Sequence, residues 1–417
     1  MPRPPLRVTV LGLNYPPEPT GISPYTGAMA RGLAERGFRT RVLTTHPHYP
    51  EWSVAAGYGQ WSRKEHIDGV GVHRMKHFVP ERPFGMKRLA SEVSFGLRLQ
   101  AASWQQPDVL VMISPALIAS TMAAARARIF HRKTPVVVWV QDLYTLGLAE
   151  TGQGGGLVGK VMNATEGWLL RHADRVVVIH DRFASRVQAD FGVPAAKIEV
   201  VRNWTHLAPT PEFDVTATRA HFGWGDETVV LHAGNMGVKQ GLDNVLDAAR
   251  LAAQRGDNAR FVLVGDGAER ARLEVAGADI PTLQFRPPLD DTLFAAALGS
   301  ADVLLVNEKS GVSEMAVPSK LTSYFSAGRP VLAATDAQGV TAGEVRSAQA
   351  GVVVPTGDPR ALLDAALALG NDPERARALG ENGREYRRAV LDETSAIDSF
   401  ATMLQRLTDG GVQAPRS

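Results

Sequence analysis

The chain contains no cysteine, which excludes disulfides, a thiolate nucleophile and cysteine-bound metal centres. It has little net charge, 45 Lys and Arg against 43 Asp and Glu, and so lacks the basic excess expected where nucleic acid is the main partner. No apolar run approaches the ~18 residues needed to span a bilayer. The opening Met1-Pro2-Arg3-Pro4-Pro5 passes directly into a strand-like segment, so no secretory leader is expected and a cytoplasmic location follows. What is present is globular: 44% hydrophobic and 21% charged residues over 417 positions. That length exceeds what one core usually organises, and two domains are the first expectation.

Short β-branched runs alternate with helical patterns, the rhythm of a parallel sheet covered on both faces. In the first half the expected strands are Arg7–Leu13, Thr40–Thr45, Val109–Ile113, Val136–Val140, Arg175–Ile179 and Ile198–Val201. In the second they are Thr228–His232, Phe261–Val264, Val303–Val306 and Pro330–Ala333. Asn203–Thr216, with two prolines and few apolar residues, reads as the linker. The domains are therefore placed at 1–202 and 217–389, with 390–417 completing the first. A single closing helix is expected over about Pro373–Leu407, packing back across the first half. A helix over Phe84–Trp104 would put Met86, Leu89, Val93, Leu97 and Trp104 inward, leaving Arg88, Phe95 and Leu99 outward with Lys87 and Arg98 alongside.

The strongest chemical signal is LHAGNMGVKQGLDNVLDAAR, starting at Leu231. A strand ends at His232, and a loop bearing Gly234, Gly237 and Gly241 opens a helix. Glycines permit positive φ and close backbone approach, and a helix start offers amides and a positive dipole end. With Lys239 these parts suit a diphosphate; they equally fit an ordinary strand-to-helix turn with a solvent-facing lysine. A second segment, PSKLTSYFSAGRPVLA, carries Ser319, Lys320 and Ser323 on a short helix ending at Gly328. Before it, Glu308 and Glu314 are candidates for sugar or ribose hydroxyls, or simple solvated charges. The first strand leads into Asn14-Tyr15-Pro16-Pro17 and lacks the Gly-x-Gly-x-x-Gly turn of a dinucleotide oxidoreductase.

With these segments in order, and with NYPPEPTGISPYTGAMARGLAERGFRTRVLTTHPHYPEW at the N-terminus, Val264-Gly265-Asp266-Gly267 and the Ala301-Asp302-Val303 strand entry, the chain resembles the GT-B glycosyltransferases of family 4. Within them it resembles the colanic-acid, exopolysaccharide fucosyltransferase-like branch, over nearly its whole length. The resemblance implies an α/β fold of two Rossmann-like, doubly wound domains facing across a cleft. The acceptor would bind to the first and the nucleotide sugar to the second. It further implies retention of anomeric configuration, no cofactor and no obligatory metal. No Asp-x-Asp pair of the kind that holds a metal on a nucleotide diphosphate occurs in the sequence. Carried over by position, Asn235 and Lys239 would lie at the donor phosphates and Gly21 would approach them. Gln141 and Asp142 would stand at the donor sugar. Gly234, Gly237, Glu314, Ser319, Lys320 and Ser323 complete the expected donor set.

Three departures from the family pattern stand out. Many relatives have a basic residue at Asn235, a second glutamate at Ser323 with the first falling on Met315 beside Glu314, and a histidine at Gln141. Serine binds a ribose hydroxyl less strongly than a carboxylate, and glutamine cannot titrate. For the acceptor, His46, His48 and Tyr49 follow the second strand; they suit a pocket wall or a plain structural loop, and a His-x-His metal site would want a third ligand. From Trp61 to Gln100 there are eight Lys and Arg against four Asp and Glu. That surface suits anionic lipid presenting a polyprenyl-diphosphate-linked saccharide, or else a solvated face or subunit contact. The donor favoured by resemblance is GDP-fucose, with other GDP- or UDP-sugars open. Epimerisation or hydrolysis of a nucleotide sugar, and a non-catalytic scaffold, remain the alternative readings.

Overall fold

The structure, a computed structural model, describes residues 4–19, 21–81, 85–145, 156–204, 213–311 and 320–409. The chain divides into two compact units, Met1–His206 with Glu393–Ser417, and Leu207–Asp392.

Unit 1 holds eight strands: β1 Arg7–Leu11, β2 Arg39–Thr45, β3 Ser62–Ile67, β4 Val70–Met75, β5 Val109–Ile113, β6 Val136–Val140, β7 Arg175–Val178 and β8 Ile198–Val200. Their order is β3-β4-β2-β1-β5-β6-β7-β8. All neighbours run parallel except the β3–β4 hairpin. That hairpin turns on Asp68 and Gly69, with φ of 48° and 79°, the left-handed pair that matches strand twist in a two-residue turn. β5 and β6 are apolar throughout, and β1 is so apart from Arg7 and Thr9, because both faces are covered. The covering helices include α1 Ser23–Glu35, α2 Met86–Ala101, α3 Leu117–Phe130, α4 Gly156–His172 and α5 Asp181–Phe191.

The burial of α2 departs from the expectation at four positions, while Trp104 is buried, Arg88 exposed, and Leu89 and Val93 half-buried. Phe95 and Leu99 are buried, whereas Met86 and Leu97 are 74% and 57% exposed. The partner decides this. α2 packs on α3, and at Gly96 a Cβ would stand only 2.5 Å from Met122 Sδ and 3.3 Å from the Ala119 backbone. Close approach at Gly96 and the buried Ser91 selects the packed face, and the Glu92 carboxylate caps α3 by accepting from Ile118 N at 3.0 Å.

Unit 2 begins with α6 Val215–Phe222, so the last two residues of the expected linker are already helical. Asp214 caps that helix through Thr216 N and Ala217 N, at 2.8 and 3.1 Å. The sheet contains β9 Thr228–Ala233, β10 Ala259–Val264, β11 Leu283–Arg286, β12 Val303–Asn307, β13 Val331–Ala334 and β14 Gly351–Val354. It is wholly parallel in the order β11-β10-β9-β12-β13-β14. Helices α7 Asp243–Arg255, α8 Arg270–Ala276, α9 Asp291–Ser300, α10 Lys320–Ala327, α11 Val340–Ser347, α12 Pro359–Gly370 and α13 Pro373–Val390 surround it. Separate apolar clusters fill its two faces, one around Tyr324 and Phe325 of α10, the other around Leu246 of α7 and Leu362 of α12.

The expected closing helix is broken in two. α13 ends at Val390, and α14 Glu393–Asp409 starts after Leu391 and Asp392. α14 belongs to unit 1, where it lies on α1. Gly32 makes that crossing close, since a Cβ there would stand 2.4 Å from Ile397 Cδ1.

Candidate active site

In unit 2 the strand order reverses at β9, whose successors lie to one side and then, from β12, to the other. Loops leaving the carboxyl ends of strands at such a point form the ligand crevice of open α/β sheets. Three meet here: 234–242 after β9, 265–269 after β10, and 308–311 after β12. The first two lie backbone against backbone. A Cβ on Gly265 would stand 2.0 Å from Gly234 O, and one on Gly267 2.5 Å from Met236 O. Both glycines have φ above +130°, at 133° and 154°, so no other residue fits either place.

The amides of the glycine loop are largely engaged within the protein. Gly234 N donates to Val264 O at 2.9 Å and Met236 N to Asp266 O at 2.8 Å. Gly237 N donates to Gln240 Oε1 at 3.0 Å. Nor does the loop run straight into a helix. A 3-10 turn, Val238–Gln240, and Gly241 at φ 55° intervene before α7. The first turn of α7 carries Asp243, gripped by Arg272 through two 2.8 Å bonds. A carboxylate therefore already stands at the dipole end that the sequence suggested for an anion. Charge for an anion must come from side-chain cations.

Two lysines stand at this loop. Lys239 is exposed on the 3-10 turn, and its carbonyl accepts from Lys309 N at 2.8 Å, tying the turn to the loop after β12. Asn307, at the end of β12, donates to Gln240 O and Gly241 O at 2.8 and 3.0 Å and accepts from Asn244 Nδ2 at 2.8 Å. This buried pair holds the turn, and sequence reasoning missed it because amides carry no charge pattern. Asn235 is exposed beside Lys239, its Oδ1 lying where a Cβ on Gly267 would be, 2.6 Å away. Lys320 opens α10 with Nζ 3.4 Å from His232 Nε2. One turn on, the Tyr324 hydroxyl accepts from Ala233 N at 2.9 Å and donates to Leu305 O at 3.2 Å, seating α10 against the ends of β9 and β12. Ser323 is half-buried on the same helix.

The Glu308 carboxylate is committed elsewhere, accepting from the hydroxyls of Thr335 and of Thr341, the latter at 2.6 Å. It bolts the loop after β12 to α11. Glu314 and Ser319 lie outside the described residues, as does Met315.

Unit 1 reverses its strand order at β1, between β2 and β5. Gly21, at φ 69°, lies after β1, and a Cβ there would meet the half-buried Tyr49 ring at 3.3 Å. His46 and His48 are almost fully buried, at 1% and 2% exposure. They are walls of the loop and do not face outward. Burial lowers the His46 pKa, and its Nε2 donates to Gln60 O at 2.7 Å. Glu18, buried, organises the whole segment: Oε1 accepts from His48 N at 2.9 Å and Tyr49 N at 3.1 Å, and Oε2 from Asn14 Nδ2 at 2.9 Å. The His48 ring stands edge-on to His77 at 4.9 Å, and His77 is lowered to about 3 by burial first and the neighbouring histidines second. A carboxylate inside a proline-rich loop was the available signal for Glu18.

After β6, Gln141 is buried and its amide is matched reciprocally with Asn203, at 3.1 and 2.8 Å. The side chain expected to bridge sugar hydroxyls is thus engaged by the protein. Asp142 is half-buried next to it, with its carbonyl taken by the Ser114 hydroxyl. The following turn is pinned by Glu166, which accepts from Tyr144 N at 2.7 Å and Thr145 N at 3.0 Å. Burial raises the Glu166 pKa, the Thr145 hydroxyl and the two amides opposing.

The sequence matches the model of the glycosyl transferase 4-like domain over residues 20–204 and that of glycosyl transferases group 1 over residues 227–372. It is 33% identical over 338 residues to WcaI of Escherichia coli K12, described as a colanic acid biosynthesis glycosyl transferase, covering 78% of this chain and 82% of the relative. The chain belongs to the GT-B glycosyltransferases of family 4. A GDP-mannose-dependent alpha-mannosyltransferase of Mycolicibacterium smegmatis is 27% identical over 307 residues, covering 72% of this chain and 73% of that one. The fold is shared with HepE of Anabaena, solved with UDP, at a TM-score of 0.68 and 16% identity over 95% of this chain and 99% of the other. This protein is thus a glycosyltransferase built from two Rossmann-like α/β units. Among its described helices none is long and apolar enough to cross a membrane.

Proposed function

We propose that this glycosyltransferase moves a sugar from a GDP- or UDP-linked donor, GDP-fucose being favoured, to a polyprenyl-diphosphate-linked saccharide, with retention and without a metal. The observation that carries this reading is the glycine loop at the β9 switch point with Lys239 standing on it. A glycosyl diphosphate leaves as an anion, and a fixed cation beside the leaving oxygens lowers the barrier without reorganisation. The same stabilisation is what a metal would otherwise provide. With retention, the acceptor hydroxyl attacks from the face the diphosphate leaves, and a donor phosphate oxygen receives its proton. Gly234, Gly237, Ser323 and Lys320 would bind the donor, and Gly21, Asp142 and Tyr49 would line the path of the acceptor. The buried Gln141, His46 and His48 would shape those surfaces without touching substrate.

The leaning to GDP-fucose rests on the resemblance to the colanic-acid branch. GDP-mannose in the name of one relative and UDP in a solved neighbour keep the base open. A thermal-shift panel of GDP- and UDP-sugars tests this, since a ligand binding only the native state raises the melting temperature with its saturation. The expected result is a rise with GDP-fucose exceeding that with UDP-glucose. No rise with any nucleotide sugar sinks the donor assignment.

The lipid-linked acceptor is supported by exposed apolar residues beside basic ones. Met86 is 74% exposed next to Lys87, and Leu157 and Val158, 78% and 61% exposed, precede Lys160. α2 and α4 each start at the carboxyl edge of the unit 1 sheet, following β4 and β6. Apolar residues entering an anionic leaflet, with lysines on its headgroups, would hold the enzyme at the inner face of the membrane. Cosedimentation with anionic vesicles is expected, with several-fold less bound after Met86→Ser with Lys87→Glu, and less for both at high salt. Equal binding to neutral vesicles would remove the electrostatic part of the proposal.

A further inference from the structure

On the reading that unit 2 binds a nucleotide-diphosphate sugar, we infer that Lys320, resting on neutral His232, is a second phosphate-binding cation of the site and takes up a proton when the diphosphate binds. Four observations converge on it. The Lys320 ammonium lies directly against the glycine loop: its Nζ is 3.6 Å from where a Cβ on Gly234 would stand, an ordinary van der Waals distance. Its one described polar contact is with His232 Nε2, at 3.4 Å. Burial holds that imidazole well below the ordinary histidine value, so it accepts from the lysine and brings no charge. Glu308, following β12, is the sole carboxylate acting on Lys320 among the described residues, and both its oxygens already accept threonine hydroxyls.

A half-buried ammonium on a neutral ring, with no carboxylate in hydrogen-bond contact among the described residues, is an unfinished electrostatic arrangement. The position is nonetheless built. Tyr324 lies four residues along α10, on the same face, and locks the helix to Ala233 and Leu305. With the amides of Gly234, Met236 and Gly237 engaged, a diphosphate entering the loop finds lysines on two sides, Lys239 on the 3-10 turn and Lys320 on α10. Burial pulls Lys320 down to about 8, Glu308 opposing. Above that pH the free enzyme has lost part of this charge, and a bound anion restores it by drawing in a proton.

Isothermal titration of the full-length enzyme with GDP, UDP and the corresponding nucleosides, at pH 8.5 in buffers of different ionisation heat, tests the inference. Wild type is expected to bind the diphosphate with net proton uptake, because the free diphosphate is itself deprotonated at that pH. Lys320→Met is expected to weaken diphosphate binding at least about tenfold, to abolish the uptake and to leave nucleoside binding unchanged. Diphosphate binding by the variant at wild-type strength overturns the inference. So does wild-type binding without proton uptake, a measurement independent of whether the variant folds. Loss of diphosphate binding in Lys239→Met alone would leave the donor reading standing with Lys320 outside it. If wild type binds neither diphosphate, the donor reading and the inference fall together.

Discussion

Lys239→Ala is expected to lower kcat/KM for sugar transfer by about 10²–10³-fold, the loss typical of removing one donor aimed at developing negative charge. The effect should fall mainly on kcat, since charge on the diphosphate grows as the glycosidic bond breaks. Lys239 is exposed on a turn whose shape is kept by the Gln240–Gly237 and Asn307 hydrogen bonds. The variant should therefore melt within about a degree or two of wild type, as surface substitutions do. Steady-state transfer assays with a matched melting curve decide the matter. Undiminished transfer would remove Lys239 from the mechanism, and a fall in melting temperature matching the fall in rate would make the role structural.

Phe400→Ala is expected to destabilise unit 1 by about 3–5 kcal/mol, the usual loss for a buried phenylalanine. Phe400 lies on α14 with no exposed surface, its ring 4.8 Å from that of Trp139 on β6. Trp139 in turn stacks on Trp204 at 6.0 Å, and Tyr25 of α1 meets Trp204 edge-on at 5.5 Å. One helix from the far end of the chain thus fills the centre of the first core. The ion pairs Arg31–Glu393 and Arg36–Asp398 join the same helices, at 2.8 and 2.6 Å. They are partly exposed, and such pairs contribute at most about 1 kcal/mol. Apolar burial therefore dominates the attachment. Urea unfolding followed by tryptophan fluorescence reports this unit, since six of the seven tryptophans precede residue 206. A loss below about 1 kcal/mol would mean that α14 is an appendage and not a core element.

How much was legible in the chain follows from what each element packs against. β1, β5, β6, β9 and β12 were readable because strands covered on both faces are mostly apolar runs, broken here only by Arg7, Thr9, Thr228, His232 and Asn307. β3 and β4 were missed. Ser62–Ile67 is an edge strand alternating exposed and half-buried residues, and its clearest mark, Asp68-Gly69 between two extended runs, is a turn signal and not a hydrophobic one. β11 was missed for a like reason, all four residues being only half-buried. α2 was found but Met86, Leu97, Phe95 and Leu99 were assigned to the wrong faces, because Gly96 and Ser91 lie at the contact with α3 and small residues leave no hydrophobic stripe. The break between α13 and α14 was invisible, since the pattern continues through Leu391, which belongs to the unit 2 core.

The sequence by itself determined the family, the parallel α/β character of both units and the glycine loop with Lys239, because these depend on residue types at short spacing. The tertiary structure alone decided which polar groups remain available for substrate. Gln141 and Glu308 looked like ligands and proved to be engaged, one by Asn203, the other by Thr335 and Thr341. The loop amides and the start of α7 suited an anion locally, yet Val264, Asp266 and Gln240 engage the first and Asp243 occupies the second. Hydrogen bonds of this kind join residues far apart in the chain, and a polar group is free or engaged only once its distant partner is in place.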